Sequence, residues 1–297
     1  MKLDIINVAT FYGCDVKGVE LAPKILWDNN LKSILENCNH KINRFIDIPV
    51  AENSENKFKE SKHIKYFDTI IHSVEALSSE VRKSYSENNF PLILGGDHSI
   101  SIGSLAGFSN EFENTGVIWI DAHGDLNTHI TSPSQNAHGM PLACAIGCGH
   151  ERFTSIFKKT INPNNVFLFG IRSLDKGEKD LIVNEGIHIY DTNSFKKLNH
   201  DLMINTLKKY VEKNKIDKFH LSFDIDAFDP VYVPGTGTPV KNGLYIEEMK
   251  NFLDKLLRAI KIVSMDFVEF NPLLDKNNAT LNLCLDMLEF VFRRINN

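Results

Sequence analysis

Two short stretches place carboxylates and imidazoles at a spacing suited to metal chemistry. Asp121, His123 and Asp125 alternate in Asp121-Ala122-His123-Gly124-Asp125, and Asp224 and Asp226 alternate in Asp224-Ile225-Asp226. If each stretch is extended, its acidic and imidazole side chains share one face, because side chains repeat every two residues. His98, in Gly95-Gly96-Asp97-His98-Ser99, completes a set of four carboxylates and two imidazoles. Four carboxylates gathered in one cleft would repel one another and titrate upward unless cations were present, and two divalent ions would balance them. Hard oxygen ligands mixed with imidazole, without thiolate, suit manganese better than a zinc-thiolate or copper site. A metal pair about 3.5 to 4 Å apart can share a water, lower its pKa and present hydroxide, so the reaction class is metal-assisted hydrolysis.

Each fragment alone is weak. Gly-Gly-Asp-His-Ser by itself reads as a turn with a helix cap, and Asp-Ile-Asp as a solvated strand end; their joint occurrence carries the signal. His138, in His138-Gly139-Met140-Pro141, reads in isolation as a core histidine, and its place near the metal loop favours a catalytic role. Glu269 reads either as a salt-bridge partner or as the anion that holds a cationic substrate. His150, His188, His200 and His220 lack such context and read as structural, and Cys144 with Cys148 as packing on one helix face.

Apolar runs bounded by Gly, Pro, Asn or Asp must form the elements that position these residues. They predict strands near 3–9, 44–49, 91–94, 116–120, 165–170, 187–190, 218–223 and 262–267. Helical spacing appears in 64–85, 201–213, 245–260 and 281–294. Strands such as Pro-Leu-Ile-Leu and Gly-Val-Ile-Trp-Ile are continuously apolar, as in a parallel sheet covered on both faces. The expected fold is therefore α/β, a single domain over 1–297, with only the polar stretch 51–62 reading as a surface loop. In an open α/β sheet the ligand site lies beyond the carboxyl ends of the strands. His98, Asp121, Asp224 and Glu269 all follow such ends.

Composition removes other classes. With 42% hydrophobic and 24% charged residues the chain can build a full core and is not disordered. Thirty-three basic against 38 acidic residues leave a charge of −5 and no basic stripe, which argues against nucleic acid. No apolar run approaches the roughly 18 residues of a membrane span, and Asp4 spoils the N-terminal run as a signal segment, so a cytoplasmic location away from membranes is expected. Five scattered cysteines without a CxxC pair argue against disulfides and zinc ribbons. Nothing matches a P-loop or an arginine cluster, which disfavours a phosphohydrolase.

At these residues the sequence resembles the ureohydrolase superfamily and, within it, the bacterial arginases. The resemblance rests on Gly-Gly-Asp-His-Ser at 95–99, Asp-Ala-His-Gly-Asp-Leu-Asn-Thr at 121–128 and Ser-Phe-Asp-Ile-Asp-Ala-Phe-Asp-Pro at 222–230. It extends from Gly18-Val19-Glu20 to Val268-Glu269-Phe270-Asn271-Pro272 and so covers almost the whole chain. It implies a three-layer fold with an eight-stranded parallel sheet flanked by helices, and two manganese ions per subunit. Asp121 and Asp224 would bridge the metals, with His98 and Asp125 completing one site and His123 and Asp226 the other.

The resemblance also implies hydrolysis of L-arginine to L-ornithine and urea by a metal-bridging hydroxide, and a homo-oligomer, trimer or hexamer. Glu269 would hold the guanidinium, His138 would move protons to the departing amine, and Thr238 would lie near the guanidinium end. Asn127, Ser134 and Asn136 would bind the α-carboxylate, and Asp175 with Glu178 the α-ammonium. This set favours arginine over agmatine, whose hydrolysis is the nearest alternative; a catalytically silent metal-binding homologue would lack a ligand, and none is missing. Two departures from the arginase pattern bear on specificity: Gln135 where glycine is common, and Ser173 to Glu178 in place of Asp-x-Asp-Pro-Gly-Glu.

Overall fold

The structure is a computed structural model that describes residues 1–52, 57–59 and 61–295. Eight strands form: β1 (Lys2–Val8), β2 (Lys41–Asp47), β3 (Phe90–Gly95), β4 (Thr115–Ile120), β5 (Val166–Ile171), β6 (His188–Asp191), β7 (Lys218–Asp224) and β8 (Ile262–Val268). All pair in parallel, in the order β2-β1-β3-β8-β7-β4-β5-β6. Every strand expected from the sequence is present. β2 starts earlier than its apolar signal because it is an edge strand whose residues alternate between half-buried and exposed.

The pleat sends alternate side chains into two cores. Leu92, Leu94, Ile118 and Ile120 pack on the face covered by helices Ile246–Ala259 and Ala279–Phe292. Ile93, Val117 and Trp119 pack on the other, against Phe67–Ser86 and Ser101–Glu111. Covering both faces is what requires the continuous apolar runs. The helices expected at 64–85, 201–213, 245–260 and 281–294 form as Phe67–Ser86, His200–Asn214, Ile246–Ala259 and Ala279–Phe292. Part of the 51–62 stretch lies outside the described residues. Cys148 stands beyond the end of helix Pro141–Ala145, so it does not share a helix face with Cys144 as expected. Among the described residues no helix is long and apolar enough to cross a membrane.

This order has a direct consequence for the site. β7 and β8 insert between β3 and β4, so the four strands whose ends carry or lead to His98, Glu269, Asp224 and Asp121 lie side by side as β3-β8-β7-β4 at the sheet's centre. Residues 98 and 269, far apart in sequence, become neighbours at one rim.

Candidate metal centre and its cleft

Two glycines shape the entry to the site. A Cβ on Gly96 would fall 1.9 Å from the Thr10 carbonyl oxygen, so only glycine lets β3 leave the sheet there. A Cβ on Gly13 would meet the Asp97 carboxylate, which instead accepts from Gly13 N at 2.9 Å and from Ser99 N at 2.9 Å. Asp97 is thus the cap of the His98–Ile100 turn and aims His98 over the strand ends.

The six metal-competent side chains converge. His98, Asp121 and Asp125 form one triad and Asp121, His123 and Asp226 a second, so Asp121 belongs to both. His98 Nδ1 lies 3.1 Å from Asp121 Oδ2, 3.0 Å from Asp125 Oδ2 and 3.3 Å from Asp224 Oδ2. His123 Nδ1 lies 3.4 Å from Asp121 Oδ1 and 3.2 Å from Asp226 Oδ2. The extended 121–125 segment expected from alternation does not form: β4 ends at Ile120 and Asp125 takes a φ of 49°. This left-handed residue turns Asp125 toward His98, while His123 faces Asp226. Asp226 likewise sits in a short 3-10 turn, Ile225–Ala227, and not on an extended strand.

The donor set fits divalent cations. His98 Nδ1 is buried and makes no hydrogen bond although three carboxylate oxygens surround it. Spacings near 3 Å are those of adjacent ligands around an octahedral ion with bonds of about 2.1 Å. On protein charges alone the cluster is electrostatically frustrated. Burial, then Asp226 and Asp121, raise the Asp224 carboxyl well above its ordinary range. Burial and Asp121 push Asp125 up to about 6. Burial disfavours a charged His98, but Asp121, Asp125 and Asp224 outweigh it and hold the imidazole well above its usual value. Cations replacing those protons would relieve both penalties.

Residues that the sequence reading did not assign hold these ligands in place. Ser222 Oγ bonds His98 Nε2 at 2.8 Å, and Trp119 stacks on the His98 ring at 4.2 Å while its Nε1 donates to Asp121 Oδ2 at 3.0 Å. Arg172 donates to the carbonyls of Gly170, Asp226, Ala227, Phe228 and Val240, and so fixes the loop that carries Asp226. Such partners set tautomer and ring orientation around a metal. Ser222 and Trp119 sit inside apolar strands, and only the strand register reveals their targets.

A cleft of about 250 Å³ opens above the cluster, lined by His123, Asp125, Asn127, Ser134, His138 and Thr238 among others. Asn136, Asp175 and Glu178 also line it. Thr238 Oγ1 donates to Asp226 Oδ2 at 3.2 Å, close to the carboxylate cluster. Asn127 Nδ2 donates to Asp175 Oδ2 at 2.8 Å. Asp175 and Glu178 form a capping box on helix Lys176–Glu185, and Glu178 also accepts from Leu126 N at 3.1 Å. Burial pushes the Glu178 carboxyl up to about 7. Asn136 is committed to Lys65 Nζ at 2.9 Å and the Cys14 carbonyl at 2.9 Å, which joins the cleft loop to the N-terminal region.

Glu269 is not among the cleft-lining residues. It lies behind His138, 2% exposed, with a φ of 65°. Its Oε1 accepts from His98 N at 2.9 Å and lies 3.1 Å from His138 Nδ1. Burial opposes its charge, but His138 and His98 N hold the carboxyl below its ordinary value.

The chain matches the family model described as the Arginase family over residues 5–292. It is 39% identical over 291 residues to an arginase of Staphylococcus aureus, covering 98% of this chain and 96% of that protein. It also resembles the crystal structure of Bacillus caldovelox arginase, at a TM-score of 0.92 and 37% identity, covering 98% and 97% of the two chains. The Entamoeba histolytica arginase, solved with L-ornithine, superposes at a TM-score of 0.89 with 34% identity, covering 98% of this chain and 97% of that one.

Proposed function

Because the chain belongs to the arginase family and is a hydrolase acting on amidines, we propose that it converts L-arginine and water to L-ornithine and urea. The observation that carries this reading is the pair of triads joined by Asp121 at the foot of a cleft holding Asn127, Ser134 and Asp175. His98, Asp121, Asp125 and Asp224 would hold one manganese ion, and Asp121, His123, Asp224 and Asp226 a second. When bound, such a pair supplies a strong nucleophile from water at neutral pH.

The rest falls to the chain's own side chains. Glu269 anchors His138 through Oε1, and among the described residues its Oε2 makes no hydrogen bond; because Glu269 lies behind the cleft lining, that oxygen would accept from the guanidinium only where the substrate reaches past His138. His138 lines the cleft, and although burial disfavours its charge, Glu269 raises its pKa above the ordinary value. It is therefore suited to give a proton to the departing amine as the bond from the guanidinium carbon breaks. Thr238 lies beside Asp226, at the guanidinium end.

At the other end, Asn127 and Ser134 would receive the α-carboxylate, Asn136 could add only the second Nδ2 hydrogen not held by the Cys14 carbonyl, and Asp175 would receive the α-ammonium. Glu178 already accepts two backbone N–H groups, and a carboxylate has about four acceptor sites, so it can assist the ammonium while still holding the loop.

Urea release by the purified, manganese-loaded protein, measured with L-arginine and agmatine in parallel, tests this reading. Turnover of arginine alone is expected. Turnover of agmatine alone would transfer the protein to the sister activity, and silence on both would remove the proposed substrate.

A further inference from the structure

Three histidines from three separate segments meet beside the loop that carries Asn127 and Ser134. The His129 ring lies 4.9 Å from that of His150, centroid to centroid, and 6.4 Å from that of His63. His150 caps helix Glu151–Thr154, and its Nδ1 accepts from Arg152 N at 3.3 Å, which leaves Nε2 for another partner. His129 Nδ1 is shielded from solvent yet has no hydrogen-bond partner. A buried polar nitrogen left unpaired is rare in native structures and calls for an occupant.

We propose that His63, His129 and His150 bind one divalent transition-metal ion of borderline softness, zinc in the first instance, at a site separate from the carboxylate cluster. Three imidazoles with no thiolate suit zinc, nickel or copper, and three histidines with an open fourth position are a known zinc arrangement. A tetrahedral ion with bonds of about 2.0 to 2.1 Å holds two imidazole centroids about 5 Å apart. The His129 and His150 rings already have this spacing. His63 is exposed on a bend at residues 62–64 with its ring 6.4 Å from that of His129, and it must turn inward to bring a nitrogen to the ion.

Charge supports the same assignment. Burial lowers the pKa of His129, with His150 and His63 adding to the effect, and burial lowers that of His150. Both rings are therefore neutral near pH 7, the form that ligates a metal. The neighbouring Arg152 is paired with Asp68 at 2.8 Å, which offsets its repulsion of a cation. An ion here would join segment 61–66 to the 126–137 loop, reinforcing the bond from Lys65 N to the Gln135 carbonyl at 3.1 Å.

The test is metal content by mass spectrometry. Manganese-saturated protein is dialysed against zinc with manganese in excess, and both metals are counted per chain. One zinc ion taken up with manganese retained is expected, its affinity at least ten-fold weaker in His63→Gln and in His129→Gln. His63 is exposed, so His63→Gln keeps the fold and gives a clean reading. Zinc uptake only at the expense of manganese, no uptake, or a zinc affinity in both variants equal to that of the wild type would overturn the site. None of these readouts depends on which guanidino compound is turned over.

Discussion

Nδ1 of His138 lies 3.1 Å from Oε1 of Glu269, and the same oxygen accepts from His98 N at 2.9 Å. One buried carboxylate therefore orients both a cleft histidine and the backbone of a metal-competent one. Burial lowers the His138 pKa, and Glu269 more than restores it. Glu269→Gln should thus move the His138 titration downward, while His138→Asn keeps the metal and loses most turnover. Proton NMR of the imidazoles, with His138→Asn as the assignment control, reads the shift; an unmoved titration would show that the pair does not couple.

The same pairing sets a sign for stability. With its folded pKa raised, His138 contributes stability that is fully present below its unfolded value of about 6.5 and is lost as pH rises through the folded value. Glu269, with its carboxyl depressed, contributes stability above its unfolded range that is lost as pH falls through the folded value. The extra stability of the wild type over Glu269→Gln, followed by thermal unfolding across pH, should peak between the two. A difference that is flat with pH would contradict the ion pair.

Asp224 faces His98 at 3.3 Å and is raised by burial, Asp226 and Asp121. Asp224→Ala should lose at least one ion and nearly all turnover while the fold survives. Removing one of four crowded acids also relieves repulsion in the metal-free protein, so chelation should lower the melting temperature of the wild type by more than that of the variant. Two retained ions with normal turnover, or equal chelator effects, would refute the shared cluster.

Much of this site is legible from the strands alone. Eight apolar runs identify eight strands, most plainly the inner ones whose two faces are both buried, and the metal-competent side chains lie at the ends of three of them. The helix Ser101–Glu111 is not legible in the same way, since residues 101–109 are buried all round and carry no polar stripe. The roles of Trp119, Ser222 and Arg172 emerge only when β7 and β8 insert between β3 and β4. The 121–125 alternation points to the right residues by the wrong geometry: a left-handed Asp125, and not an extended strand, brings the set together.

Asp175 sits at the cleft mouth with its carboxylate on Asn127 Nδ2 at 2.8 Å. If it also receives the α-ammonium, Asp175→Ala removes a charge-assisted contact of about 1.5 to 3 kcal/mol, which is roughly a ten- to hundred-fold rise in KM for L-arginine. The kcat should change little, because the guanidinium end is untouched. Steady-state kinetics separate the two constants. A fall in kcat at constant KM would place Asp175 in the chemistry instead.

Gln135 stands where a glycine is common in the arginase pattern, and its φ of 60° explains the preference, since side-chain-bearing residues pay about 1 to 2 kcal/mol in the left-handed region. The backbone at this position does the holding: its N–H donates to Ser132 Oγ at 3.0 Å and its carbonyl accepts from Lys65 N at 3.1 Å. The side chain adds only a long bond to the Lys62 carbonyl at 3.4 Å and does not line the cleft. Gln135→Gly should therefore preserve the loop and its KM for L-arginine. Relief of backbone strain, less the greater freedom of glycine in the unfolded chain, should leave about 0.5 to 1 kcal/mol of added stability. Chemical denaturation and steady-state kinetics test both halves: a several-fold fall in KM would show that the glutamine obstructs the carboxylate end, and a loss of stability would mean that its long side-chain bond matters more than the strained backbone.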